Sequence, residues 1–129
     1  MKTNTGNQIN PISPSVIPAA LNGKAAAIDV LAVIGGLLFI KAPCDSMTPT
    51  IAPETVIGIK PYCNEPVTDG VYLVEIGGKP ALRRIQGLFA GGYCLLCDNP
   101  AYPSPTVQTL PRLLAEVKAV VKPITAQIN

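Results

Sequence analysis

The chain has 129 residues, of which 48% are hydrophobic, and its ten basic and eight acidic residues leave a formal net charge of +2. This length and composition predict one folded domain with a core of its own, and the lack of a basic block gives no electrostatic case for nucleic-acid binding. There is no histidine, which excludes a Ser-His-Asp triad, a Cys-His pair and any zinc site that uses histidine.

The N-terminal part of the chain is polar and contains several prolines. We interpret residues 1–24 as a flexible arm, too short for a helix-turn-helix domain, in front of a globular domain over residues 25–129. The arm lacks the apolar centre of a signal peptide, so we expect a cytoplasmic protein. The apolar stretch Ala25–Ile40 is interrupted by Asp29 and Gly35-Gly36 and is shorter than the roughly 20 residues that span a bilayer. We expect a core strand or a short buried helix there.

Most of the remaining chain alternates short apolar runs with turn residues, which predicts a mostly β domain. Gly77-Gly78 suits a tight hairpin because both glycines accept positive φ, and Gly91-Gly92 makes a further turn. The segment at residues 113–121 could be a helix by propensity. However, Val117, Ala119 and Val121 occupy every second position, between Lys118, Val120 and Lys122, and this alternation favours a strand. The expected strands cover residues 37–42, 56–60, 71–76, 80–86, 93–97 and 113–121.

Ser46 lies where the first of these strands turns a corner. The sequence from Cys44 to Thr50 predicts one short helical turn at Met47–Ile51, with Ser46 able to cap its start and Pro49 tolerable only in a first turn. Ser46 could be an exposed nucleophile at this corner, or it could simply be the N-cap of the turn.

Cysteines occur at positions 44, 63, 94 and 97, and without an export signal we expect them to be reduced thiols. The spacing of Cys94 and Cys97 is that of half a zinc site. However, residues three apart on a strand point to opposite faces, so we expect buried structural thiols there and no metal or cofactor.

Three segments of the sequence stand out, and they follow one another along the chain. The first is Lys41–Thr50 (KAPCDSMTPT). The second is a hairpin that begins at Asp69-Gly70 and returns through Leu82-Arg83-Arg84-Ile85, and the third is Cys97–Pro103 (CDNPAYP). They resemble the G-D-S-M-x-P-T, K-R and S-D-N-P-x-Y-P segments of the C-terminal domain shared by LexA, the UmuD polymerase subunit and many phage repressors. The resemblance covers about residues 37 to 122. It implies a mostly antiparallel, β-barrel-like fold of the LexA and signal-peptidase type that forms homodimers.

In that family a serine and a lysine form a dyad that cleaves the protein's own N-terminal linker, often when stimulated by a RecA filament. By the resemblance, Ser46 matches the nucleophile, the amide of Met47 lies where an oxyanion donor would be, and Arg83 occupies the place of the lysine. A lysine can act as the base once burial leaves it neutral, whereas arginine stays protonated in proteins. We therefore expect a degenerate, inactive dyad.

Strand alternation places Arg83 on one face with Ala81 and Ile85, which predicts a half-buried guanidinium that needs a carboxylate partner. Asp45 and Glu75 are the candidates, and the alternative is an exposed Arg83 that is merely solvated.

Other departures from the family agree with the loss of activity. Cys44 stands where the family has glycine, and Pro53-Glu54-Thr55 replaces a P-G-D segment. The family cleaves after a small residue or cysteine and before glycine. Upstream of Ser46, X-Gly pairs occur at residues 5–6, 22–23 and 34–35, and none is Ala-Gly or Cys-Gly.

These observations favour a non-catalytic dimerisation and interaction module that regulates transcription or an SOS or prophage response. Its expected partners are a second copy, a related repressor, a RecA filament or a polymerase, without direct nucleic-acid or membrane binding. Two alternatives stay open, a self-cleaving serine peptidase with another base (Lys41, Lys60 or Lys79) and a UmuD-like polymerase accessory.

Overall fold

The computed structural model describes residues 28–122, which form one eight-stranded antiparallel sheet. The strands follow one another in space in the order β1-β2-β3-β8-β4-β5-β6-β7. Their bounds are β1 Val30–Ile34, β2 Leu37–Lys41, β3 Val56–Pro61, β4 Gly70–Ile76, β5 Lys79–Gly87, β6 Tyr93–Leu96, β7 Thr106–Val107 and β8 Arg112–Val121.

All six strands expected from the sequence are present, each within about two residues of its expected bounds. The β4–β5 hairpin turns at Gly77-Gly78, where both glycines have positive φ (61° and 80°) as a type I′ turn requires. The strands β1 and β7 were not expected. The described part of the apolar stretch, residues 28–40, contains the core strand β2, as one of the two alternatives predicted, and also the unexpected strand β1, which forms a hairpin with β2 that turns at Gly35-Gly36.

The last strand, β8, lies in the middle of the sheet between β3 and β4. Both of its pairings contain a register shift, between Gly58 and Ile59 on one side and between Leu73 and Val74 on the other. Such irregularities increase the local twist.

The core consists of two clusters that lie on opposite faces of β4. Leu73 belongs to the first cluster, while its neighbours Tyr72 and Val74 belong to the second, and successive side chains of a strand point to opposite faces. The first cluster contains Leu38, Ile40, Ala42, Met47, Ile51, Ile57, Ile59, Leu73, Leu82, Leu114 and Ala115. The second contains Tyr72, Val74, Ile85, Leu95 and Leu113.

The mostly β, antiparallel fold is thus confirmed, although the sheet is not closed into a barrel, since its order ends at β1 and β7. The segment after Ser46 is a hydrogen-bonded turn and not a helix. Its Ile51 amide donates to the Met47 carbonyl at 2.9 Å, and the Thr48–Pro49 peptide bond is cis. No helix within residues 28–122 has the length and hydropathy needed to cross a membrane. The proposed arm over residues 1–24 lies outside the described residues.

Candidate functional site

Ser46 lies against Leu82, near the middle of β5, because the chain leaves β2 at Lys41 and crosses towards that strand. The side chain is buried, with 1% of its surface exposed. Its hydroxyl donates a hydrogen bond to the main-chain carbonyl of Leu82 at 2.8 Å, and its Oγ lies 3.2 Å from the Sγ of Cys44. The serine proton is therefore directed at a neutral carbonyl oxygen.

The segment after β6 holds the serine loop in place. Asn99 donates from its main-chain amide to the Ser46 carbonyl at 3.0 Å and from its side-chain amide to the Asp45 carbonyl at 2.9 Å. The hydroxyl of Tyr102 donates to the carboxylate of Asp45, and this bond raises the pKa of Tyr102 above its ordinary value. These contacts give a physical reason why the segments Lys41–Thr50 and Cys97–Pro103 occur together in one sequence.

Arg83 reaches the same carbonyl as the serine. Its Nη1 donates to the Leu82 oxygen at 2.7 Å, and its guanidinium carbon lies 6.0 Å from the centre of the Tyr102 ring. The side chain is half-buried, as the strand alternation predicted. A cation at this distance from an aromatic face is stabilised by the ring.

Neither carboxylate proposed for Arg83 forms an ion pair with it within residues 28–122. Glu75 lies near the other end of β4, paired with Pro80 and Arg112. Asp45 is linked to the arginine only through Tyr102, which accepts the cation on its ring and binds the carboxylate through its hydroxyl. The expectation of a direct carboxylate partner is therefore wrong, because an aromatic ring and a main-chain carbonyl take that role.

Within residues 28–122, no lysine or carboxylate side chain makes a hydrogen bond with the Ser46 hydroxyl. A guanidinium has no lone pair available and remains protonated. Among the described residues, the hydrogen-bond partners of the serine hydroxyl are the Leu82 carbonyl and the Cys44 thiol. Lys41 and Lys60 lie on the surface in ion pairs with Glu54 and Glu65, each at 3.4 Å.

The amide of Met47 makes no hydrogen bond with any other part of residues 28–122, while its side chain is fully buried in the first cluster. An unengaged amide next to a serine is the geometry that an oxyanion donor needs. Its role as an oxyanion donor stays a prediction.

An open groove of about 690 Å³ runs close to this site. Its walls include residues 41–43 after β2 and residues 78–80 of the β4–β5 hairpin, with Leu31 of β1 on one side. Neither Ser46 nor Arg83 lines the groove, in keeping with the burial of the serine.

Arg84, the neighbour of Arg83, is the residue that has a carboxylate partner. Its Nε and Nη2 bind the two carboxylate oxygens of Asp98 at 3.0 and 2.7 Å, and Thr50 donates to the same carboxylate at 2.5 Å. The hydrogen bonds from Arg84 hold the pKa of Asp98 below its usual value. This ion pair ties β5 to the turn after Ser46.

The cysteines of the site are free thiols. Cys97 lies just beyond β6, where burial raises the pKa of its thiol above the ordinary value, and its amide donates to Ser104 at 3.0 Å. Cys94 lies within β6, and its thiol donates to the Ser104 carbonyl at 3.7 Å. Residues 28–122 contain no group of three or more side chains of the metal-binding types close enough to hold an ion.

The fold and the site together define an antiparallel β domain in which Ser46, in the loop after β2, lies against β5, the strand that carries Arg83 and Arg84. A family model described as Peptidase S24-like matches residues 24–120. The chain therefore belongs to the Peptidase S24-like family, as its three sequence segments indicated. No curated protein matches the chain.

Sequence reasoning did not assign roles to Asn99, Tyr102 or the Leu82 carbonyl. Asn99 and Tyr102 lie in the CDNPAYP segment, which already stands out in the sequence. Their polar side chains could have suggested that this segment contacts the Ser46 loop, although the two are far apart in the sequence. A main-chain acceptor leaves no trace in the side-chain sequence. Of the X-Gly pairs, Ile34-Gly35 lies in the β1–β2 turn, and the other two lie outside the described residues.

Proposed function

We propose that this chain is a non-catalytic interaction module of the Peptidase S24-like family. It acts by binding a second copy or a related domain, and in this way it regulates transcription in a prophage or SOS-type response. A mixed dimer with a related repressor would change the repressor's assembly without any cleavage.

One observation carries this proposal, namely that Ser46 and Arg83 both donate to the carbonyl of Leu82. A catalytic serine needs an acceptor for its proton, and here the basic side chain is a second donor. The absence of general-base assistance should lower the rate by roughly 10²–10⁴-fold. Burial of the serine and its separation from the groove add to this loss.

The test is an incubation of the full chain between pH 7 and pH 10, with and without RecA filament, followed by intact-mass measurement. We expect the native chain and Ser46→Ala to stay equally intact. Alkaline pH should give no increase, because arginine stays protonated throughout this range, whereas a lysine base would become active.

Cleavage of the native chain that Ser46→Ala abolishes would establish the peptidase instead. Arg83→Lys is the matched variant, since it restores the family's base at the same position. Cleavage in Arg83→Lys alone would show that Arg83 occupies the position of the base and that its substitution removes activity.

Self-association is the second requirement of the proposal. Sedimentation velocity on the full chain from 1 to roughly 100 μM should show a monomer–dimer equilibrium, a concentration range suited to the micromolar affinities of transient dimers. A strict monomer throughout this range would contradict the homodimeric form of the module.

A further inference from the structure

Two cysteines lie at the site in positions where the family segments have smaller or more polar residues. Cys44 stands where the family has glycine, and Cys97 stands where the S-D-N-P-x-Y-P segment has serine. Each cysteine belongs to one of the two segments that meet at the site, Lys41–Thr50 and Cys97–Pro103. The chain therefore carries a pair of thiols there that the family segments do not contain.

Hydrogen bonds hold the two cysteine-bearing segments together. The main-chain amide of Asn99 donates to the Ser46 carbonyl at 3.0 Å, and its side-chain amide donates to the Asp45 carbonyl at 2.9 Å. Cys44 and Cys97 each lie two residues before one end of the first of these bonds. Because one residue spans at most about 3.6 Å of chain, both cysteines lie close to this junction.

A second set of contacts links the two thiols through β5. The Sγ of Cys44 lies 3.2 Å from the Oγ of Ser46, which donates to the Leu82 carbonyl. Arg83 donates to the same carbonyl at 2.7 Å. Burial raises the pKa of the Cys97 thiol, the Arg83 guanidinium opposes this rise, and the Cys44 thiol adds to it. The two thiols are thus near enough to influence each other's ionisation.

The pair is suited to thiol chemistry rather than to binding zinc. Within residues 28–122, no third side chain of the metal-binding types lies close enough to complete a site with the two thiols, whereas zinc takes three or four protein ligands. Two neighbouring thiols can instead be oxidised to a disulfide.

The two thiols differ in their access to solvent. Cys44 is half-buried and follows Pro43, which lines the open groove, whereas Cys97 exposes only 8% of its surface. Oxidation by peroxides favours accessible thiols, and such thiols often have a second cysteine beside them that resolves the product. Cys44 therefore suits the role of the thiol that reacts with the oxidant, and Cys97 the role of the resolving thiol.

We propose that Cys44 and Cys97 form a disulfide when the protein meets hydrogen peroxide, and that this bond fastens the Ser46 loop to the segment after β6. The Cys44 sulfur attacks one peroxide oxygen, the O–O bond breaks, and a sulfenic acid and one water form. The Cys97 sulfur then attacks the sulfenic sulfur, the S–O bond breaks, and the hydroxide leaves with the Cys97 proton as a second water. The two thiols lose two electrons, and the peroxide gains them. This modification is independent of what the module binds.

The experiment treats the reduced full chain with equimolar hydrogen peroxide, blocks the remaining thiols with N-ethylmaleimide and maps the peptides by mass spectrometry. We expect the loss of two of the four free thiols and, before blocking, an intact mass lower by two hydrogen atoms. The map should contain a cross-linked peptide that joins Cys44 to Cys97. Dithiothreitol should restore all four thiols.

Two variants serve as matched controls. Cys63→Ser/Cys94→Ser keeps only the proposed pair and should lose both thiols at the native rate. Cys44→Ser removes the reacting thiol and should leave Cys97 reduced. Far-UV circular dichroism checks that both variants fold, and should either fail to fold, the peptide map of the native chain decides alone.

Three results would overturn the assignment. The first is a disulfide that joins Cys97 to Cys94 or to Cys63. The second is a folded Cys63→Ser/Cys94→Ser protein that keeps both of its thiols after the peroxide treatment. The third is a sulfinic or sulfonic acid on Cys44 beside a reduced Cys97, which would show that the two sulfurs cannot meet.

Discussion

At the scale of single residues, the Leu82 carbonyl organises the site. It is fully buried with its residue and accepts hydrogen bonds from both Ser46 and Arg83. Each donor can satisfy the oxygen when the other is removed. The two side chains should therefore be energetically coupled in their contribution to stability.

A double-mutant cycle measures this coupling. Ser46→Ala and Arg83→Met should each cost about 1 kcal/mol or less of unfolding free energy, because one donor remains. The double variant leaves a buried carbonyl unsatisfied, which costs about 1–3 kcal/mol. We expect urea unfolding to show at least about 1 kcal/mol of excess destabilisation in the double variant. Simple additivity would mean that the carbonyl finds another donor.

The Arg84–Asp98 pair predicts a dependence of stability on pH. Because the pKa of folded Asp98 is lowered by the Arg84 hydrogen bonds, its contribution is complete above the unfolded carboxyl's pKa of about 4 and is lost as the pH falls towards the folded value. Asp98→Asn should cost about 1–2 kcal/mol at pH 7, a value reduced for the exposure of Arg84.

Unfolding curves at pH 7, 4 and 3 give the measurement for this pair. The native chain should approach the stability of Asp98→Asn at the lowest pH. Asp29→Asn, at an exposed carboxyl, serves as the control and should leave the pH dependence of the native chain unchanged. A difference between the native chain and Asp98→Asn that stays constant with pH would contradict the assignment.

At the scale of elements, the turns fix how strands meet. Gly91 and Gly92 both have positive φ, 105° and 83°, between β5 and β6. They differ in their surroundings: a Cβ on Gly92 would lie 2.8 Å from the Val107 carbonyl oxygen, while a Cβ on Gly91 would meet nothing within 4 Å. Gly92 therefore serves both the turn and the close approach of β7.

Alanine substitutions at Gly91 and Gly92 separate two costs, the backbone strain of a positive φ and the steric clash of a new Cβ with the Val107 carbonyl oxygen. Gly91→Ala should cost about 1 kcal/mol through its backbone conformation alone. Gly92→Ala should cost about 1–3 kcal/mol more, because a main-chain oxygen must also move. Thermal unfolding of both variants gives the comparison. Equal costs would show that the β6–β7 contact adjusts freely.

The sequence allowed six of the eight strands to be predicted, because each has alternating or apolar residues between clear turn signals. β1 was missed since its apolar residues run on into β2, and only the Gly35-Gly36 turn separates the two. β7 has two residues, too few for any period. At the site, Ser46 and Arg83 could be brought together through family resemblance, but the acceptor they share is a main-chain atom that no side-chain pattern records.

At the scale of the whole molecule, the two hydrophobic clusters are built on shared strands. β4, β5 and β8 each contribute side chains to both clusters. A strand that loses its packing on one face also loses its position on the other. The described domain should therefore unfold as one cooperative unit.

Leu38→Ala tests this cooperativity, because Leu38 belongs to the first cluster while Tyr72 is in the second and Tyr62 and Tyr93 pack against it. Removing the buried leucine side chain should cost about 2–5 kcal/mol. Tyrosine fluorescence and far-UV circular dichroism should report the same shift in the urea midpoint. A tyrosine transition that stays at the native midpoint would mean that the clusters unfold separately.

The central position of β8 has a consequence for how the fold is reached. β3 and β4 are consecutive strands, yet they meet only through β8, which lies some fifty residues after β3 in the chain. Until residues 112–121 arrive, the growing polypeptide carries two separate half-sheets, each with an unpaired edge that β8 will later occupy. Such long-range pairings form slowly, and open edges invite association with other chains. β8 therefore joins the two half-sheets into one sheet, and we expect association between incompletely folded chains to be strongest before β8 pairs.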